Sequence, residues 1–178
     1  GWLTAEYSLL PSSTPQRTPR EAVRGRQDGR TVEIQRFIGR SLRAVTDLSA
    51  LGENTVYVDC DVVEADGGTR CAAVSGGYLA LHIALKRAVD KGSLKTLPLT
   101  DTVAAVSVGV VKGVAVVDLE YSEDCGAQAT AETEPFERDV LDELLRLAEI
   151  GTSHIADKQA EVIAHLYEEK KPQGKASV

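Results

Sequence analysis

The apolar residues change period several times along the chain, and each change marks an element. Residues 1–10 alternate well enough for a strand, Trp2-Leu3-Thr4-Ala5-Glu6-Tyr7. Residues 11–30 carry Pro11, Pro15 and Pro19, with Ser, Thr, Gly25 and Gly29 between them, which is loop chemistry. From Thr31 to about Asp47, Ile34, Phe37, Ile38, Leu42 and Val45 recur at helical spacing. That predicts a helix with Thr31 as N-cap and with Arg36, Arg40 and Arg43 on another face. Thr55–Val63 returns to alternation, Val56, Val58, Cys60 and Val62 facing one way and Tyr57, Asp59 and Asp61 the other. A second helix is predicted to run to about Asp90. Its Ala72, Ala73, Gly76, Gly77, Ala80, Leu81, Ala84 and Leu85 predict burial on most sides. Val103–Val111 and Val114–Tyr121 read as strands of a hairpin turning through Lys112-Gly113. A last helix spans roughly Glu137 to Tyr167 with a break expected near Gly151, and residues 168–178 read as a charged, disordered tail. The pattern predicts one α+β domain over residues 1–167, a mixed or antiparallel sheet packed against helices, without internal repeats.

Composition narrows the class. Of 178 residues 43% are apolar, enough for a packed core and against wholesale disorder. No stretch reaches the roughly 18 apolar residues of a membrane span. The opening lacks the basic and apolar regions of a secretory leader, so none is expected. The chain has no methionine and opens inside strand-like sequence, as a piece of a longer protein would. Cys60, Cys71 and Cys125 are an odd set without CxxC spacing, which predicts reduced thiols in a cytoplasmic setting.

Charge sharpens the picture. The chain carries a net charge of −7, yet Arg17, Arg20, Arg24, Arg26, Arg30, Arg36, Arg40 and Arg43 crowd one stretch against only Glu21, Asp28 and Glu33. Guanidinium groups grip phosphate oxygens in a fork, so a polyanion is the expected partner. With Phe37 as the sole aromatic of that stretch, the nucleic-acid backbone is a better target than the bases. The plain alternative is a solvated basic face. A second constellation is Gly67-Gly68-Thr69-Arg70, between a strand and a helix. Free N–H groups, a hydroxyl and a guanidinium there would make a phosphate cradle, although a simple strand-to-helix turn needs the same glycines. Glu120, Glu123 and Asp124 form a third cluster, read either as turn acids or as oxygen ligands for Mg²⁺. His82, His154 and His165 lie on predicted helices without a nucleophile partner, and no GxSxG is present. If the protein is an enzyme, its nucleophile comes from outside, and a bound phosphate is the obvious candidate.

Several runs together resemble the ribonuclease PH family of phosphate-dependent 3′→5′ exoribonucleases. They are Gly1–Pro11, Gln27–Ala44 around Gly29-Arg30-Thr31, Asp59–Arg70, Val103–Val111 and Asp118–Asp124. The resemblance implies a ribosomal-protein-S5-domain-2-like β-α-β-α fold assembled as a hexameric ring, a trimer of dimers. It implies inorganic phosphate as co-substrate, held by Arg30, Gly68, Thr69 and Arg70. It makes Asp124 a catalytic carboxylate and Mg²⁺ ligand, and Arg17 and Arg20 RNA contacts at the ring entrance; the crowding of arginines adds Arg24 and Arg26 to the expected RNA contacts. The implied substrates are the 3′ ends of precursor tRNA and other RNA, and the implied activity is that of a tRNA nucleotidyltransferase. An inactive RNA-binding ring subunit of an exosome-like complex is the alternative, and a generic phosphate-binding domain a weaker one. Members of the family carry further strands ahead of Gly1. They also carry a segment with a second aspartate where Ala127 here meets Gln128, and Arg-Ser-Thr where Ser12-Ser13-Thr14 stands.

Overall fold

The computed structural model describes residues 1–124 and 137–168. Strand β1 (Trp2–Leu9) leads through a short helix α1 (Glu21–Arg24) and the longer α2 (Gly29–Ala44) into β2 (Thr55–Val62). β1 and β2 run parallel, in register from Trp2 opposite Thr55 to Leu9 opposite Val62. Alternation along β1 places Leu3, Ala5 and Tyr7 on one face, and β2 adds Val58 to it. α2 closes that face with Ile34, Ile38 and Leu42, each 0% exposed and each four residues after the last. Fully burying an aliphatic side chain is worth about 1.5–3 kcal/mol, so this stripe fixes α2 against the strands.

Helix α3 (Thr69–Asp90) adds Val74, Tyr78, Leu81 and Leu85 to the same core. Its outward Ala72, Gly76, Ala80 and Ala84 are exposed, where burial on most sides was predicted. One stripe suffices to dock it on α2 and β2. A second, antiparallel pair, β3 (Val108–Val111) and β4 (Val114–Val117), turns through Lys112 and Gly113, both at positive φ. It precedes the short α4 (Tyr121–Asp124) and then α5 (Arg138–Glu168). The architecture is α+β, with one parallel and one antiparallel two-stranded sheet packed on helices.

Several boundaries differ from expectation. α2 begins at Gly29, and Thr31 is a buried helical residue whose hydroxyl donates to Glu21 Oε1 at 2.5 Å rather than an N-cap. Part of the expected loop forms α1. β3 is shorter than the predicted Val103–Val111 because side chains, not a neighbouring strand, satisfy its first half. Ala105 N–H donates to Ser75 Oγ (3.1 Å), and Gln159 Nε2 donates to the Val103 carbonyl (3.1 Å). β4 stops at Val117 because Asp118 turns to φ 59°. α5 passes through Gly151 without a break. A Cβ there would stand 2.9 Å from Val106 Cγ1 and 3.0 Å from Val117 Cγ2, so the glycine permits close helix-to-hairpin packing. The expected tail begins as the last residue of α5, Glu168, and its remainder lies outside the described residues, as does Cys125. No helix among the described residues is long and apolar enough to cross a membrane.

Candidate phosphate and RNA site

The N-terminal ends of α2 and α3 converge beside the C-terminal ends of β1 and β2. The turn into α3 is shaped by Gly67 and Gly68, at φ 83° and 61°. A Cβ on Gly67 would lie 2.4 Å from the Leu119 carbonyl oxygen, so no side chain fits there. Tyr121 N–H donates to Asp66 Oδ1 (3.2 Å), fastening the chain after β4 to this turn. No side chain caps α3, and its first intrahelical bond runs from Ala72 N–H to the Gly68 carbonyl. The N–H groups of Thr69, Arg70 and Cys71 therefore precede the helical ladder, at the positive end of the helix dipole. Such an edge is suited to an anion.

Two contacts tie that edge to the strands and to α2. Tyr7 Oη, on a side chain 5% exposed, shares a 2.9 Å hydrogen bond with Thr69 Oγ1. If Tyr7 is the donor, Thr69 keeps its own proton for an anion. Arg70 Nη2 donates to Glu33 Oε2 at 2.8 Å, and its guanidinium lies 5.9 Å from the Phe37 ring centroid. Glu33 stands three residues after Arg30 on α2, so Arg30, Glu33 and Phe37 form one stripe facing the α3 terminus. Arg30 is exposed, and its side chain makes no hydrogen bond or ion pair among the described residues. Arg70 is thus tied to the α2 stripe that carries Arg30.

The basic segment lines a cavity of about 860 Å³. Arg20, Arg24, Arg26 and Arg30 stand on one side of it, and Glu6, Ser8, Asp59 and Asp61 on the other. Asp61 accepts from Ser8 Oγ (2.6 Å), and Arg24 pairs with Asp28 (3.1 Å). Arg17 is exposed on the preceding loop, outside the cavity lining. A second cavity, about 420 Å³, lies between the β2 edge and α3 and takes in Gly67 and Thr69. Asp59, Cys60 and Asp61 border both. Arg43, counted with the phosphate-seeking arginines, is committed elsewhere. Its Nη1 donates to the Leu3 carbonyl (2.9 Å), and its guanidinium sits 4.8 Å from the Trp2 ring.

The acidic cluster is less organised. Glu123 Oε2 accepts the Glu120 N–H (3.2 Å), and Ser122 Oγ donates to Glu120, the pattern of turn acids. The side chain of Asp124 lies outside the described residues, although its backbone ends α4. Among the described residues no three His, Cys, Asp or Glu side chains converge. Cys71, in the first turn of α3, has its thiol pushed up by burial, against the lowering effect of Arg70. Burial, then Asp59 and Asp61, push Cys60 up as well. Both stay neutral thiols near pH 7, and neither is an activated nucleophile. Tyr7, Glu33 and Asp66 were not singled out from the sequence. Only Glu33 carried a signal, its place one turn after Arg30.

Residues 1–86 match the family model described as 3′ exoribonuclease family, domain 1. A ribonuclease PH from Syntrophomonas wolfei subsp. wolfei is 49% identical over 180 aligned positions, which span 92% of this chain and 75% of that protein. The chain belongs to the 3′ exoribonuclease family. Solved structures share the fold. One is described as the Archaeoglobus fulgidus exosome with RNA bound to the active site, with a TM-score of 0.67 at 22% identity over 89% of this chain and 70% of that one. Another is rice (Oryza sativa) Rrp46, with a TM-score of 0.63 at 16% identity over 89% of this chain and 71% of that one. The fold is thus the S5-domain-2-like one that the sequence resemblance implied.

Proposed function

We propose that the protein is a phosphate-dependent 3′→5′ exoribonuclease that trims the 3′ ends of precursor tRNA and related RNA. The observation that supports this reading is the uncapped Gly68–Thr69 turn, with Arg70 tied to Glu33 on the α2 stripe that also carries Arg30, inside a family of 3′ exoribonucleases. Inorganic phosphate bound there by Arg30, Arg70, Thr69 and the backbone at Gly68 attacks the terminal phosphodiester. One P–O bond forms, the bond to the 3′ oxygen of the preceding nucleotide breaks, and a nucleoside diphosphate leaves. Phosphoryl transfer of this kind needs positioned cations more than a protein nucleophile, which suits a site whose cysteines stay protonated. Arg17, Arg20, Arg24 and Arg26 hold the RNA backbone. Asp124 is the proposed catalytic carboxylate and the ligand for Mg²⁺, which would neutralise charge on the reacting phosphate. Residues 1–167 act as one unit in a hexameric ring of dimers in the cytoplasm, where copies of the basic segment would face a common opening.

Trimming of a 3′-labelled RNA, followed with and without inorganic phosphate, tests the mechanism. Dependence on phosphate and release of nucleoside diphosphates are expected. Monophosphate products without a phosphate requirement would replace phosphorolysis by hydrolysis. RNA binding without any trimming would instead favour a non-catalytic ring subunit.

A further inference from the structure

We infer that Glu33 is a positioning residue of the phosphate site, holding Arg70 in place. The inference rests on the phosphate-site reading above and deepens it. The Glu33 carboxylate takes only one nitrogen of the Arg70 fork, Nη2 at 2.8 Å. The remaining guanidinium N–H groups make no other hydrogen bond among the described residues, so they stay available to an anion. The Phe37 ring, one turn further along α2, supports the guanidinium from beneath at 5.9 Å. Glu33 and Phe37 thus confine a long side chain that is 41% exposed and would otherwise sample many rotamers.

The second effect is electrostatic. Glu33 bonds Arg70 and stands three residues after Arg30 on α2. A carboxylate there offsets the charge of the Arg70 guanidinium in the phosphate-free protein. It also repels an incoming phosphate. Positioning and repulsion act in opposite directions on phosphate affinity, so the sign of a single substitution decides between them.

The experiment is a phosphate titration of the full-length protein with Glu33→Ala, Glu33→Gln and Arg70→Ala. It reads the phosphate KM and kcat of RNA trimming and, separately, the rise of Tm with inorganic phosphate in the absence of RNA. Glu33→Ala should raise the phosphate KM about three- to tenfold, the scale of one freed side chain and one exposed ion pair, with a smaller change in kcat. Its phosphate-induced Tm rise should shrink in parallel. Glu33→Gln keeps an acceptor oxygen and should recover part of the loss. A phosphate KM unchanged or lowered by Glu33→Ala, while Arg70→Ala still raises it, overturns the positioning role and leaves the phosphate site standing. A phosphate KM that Arg70→Ala does not change removes the site itself, and this inference with it. The Glu33 side chain is 50% exposed, so the protein should fold in each case, and the Tm without phosphate checks that.

Discussion

The two ends of helix α2 spend arginine in opposite ways. At the N-terminal end Arg30 is exposed and bonds nothing among the described residues, and its neighbour Glu33 tethers Arg70. At the C-terminal end Arg43 is folded into the protein, donating to the Leu3 carbonyl and stacking on Trp2. The residue type is the same, yet one guanidinium is left without a protein partner among the described residues and the other is a structural brace. Arginine content therefore locates a polyanion surface only coarsely. What separates the two roles is whether a backbone acceptor lies within reach. Gly39 shows how tightly the brace is built, since a Cβ there would meet Arg43 Nη1 at 2.9 Å.

The largest test of this contrast is at the ligand end. Arg70→Ala, and Arg30→Ala beside it, should lower use of phosphate about 10- to 150-fold, the worth of a hydrogen bond to a charged group. Denaturant midpoints should stay near that of the parent. Steady-state phosphate KM measured alongside urea unfolding checks both halves. A large stability loss with unchanged phosphate KM would erase the distinction between the two ends.

Gly67→Ala comes next. It forces a side chain into a left-handed backbone at φ 83° and against the Leu119 carbonyl, at a cost of about 1–3 kcal/mol. Urea unfolding should show that loss, and phosphate use should fall because the turn moves. Gly76→Ala, on the exposed face of α3 with open space at its Cβ, is the matched control. It should instead stabilise by about 0.5–1 kcal/mol. Similar losses at the two glycines would mean that the close approach of the Leu119 carbonyl does not matter.

Arg43→Ala should behave as the inverse of Arg70→Ala. Losing a charged hydrogen bond and a ring contact costs about 1–2 kcal/mol of stability. Phosphate KM should not move, and the salt dependence of RNA binding should match the parent. If that salt dependence flattens, Arg43 meets RNA and the brace reading fails.

The smallest effect concerns the far side of α3, where His82 packs between Tyr78 and Tyr167. Burial, helped by Lys86, lowers the His82 pKa. The unfolded chain then binds the proton more readily than the folded one. Stability contributed by neutral His82 is complete above the ordinary histidine range near 6.5 and falls as the pH drops below it. Tm should decline between pH 7.5 and about 5.5, and His82→Phe should flatten that decline. A slope unchanged in the variant would assign the pH dependence to other groups.

Much of this protein was legible in its sequence because periodicity is a local property. Ile34, Ile38 and Leu42 on α2 and the alternation of β1 and β2 follow from helix and strand geometry alone. The glycine turn into α3 and the crowding of arginines also stand out without a structure. Several resembling runs carried the family, because shared descent preserves sequence where physical pattern does not discriminate. Other facts needed the tertiary structure. The strand expected from Val103 is shortened because Ser75 and Gln159, distant in sequence, take its hydrogen bonds. Asp118 ends β4 through a backbone angle that its residue type does not announce. The roles of Arg43 and Arg70 are set by Leu3 and Glu33, each about forty residues away or nearly so, at 40 and 37 positions. A side chain's partners are chosen by how the chain returns on itself, and that return is fixed by the whole core rather than by any segment of it.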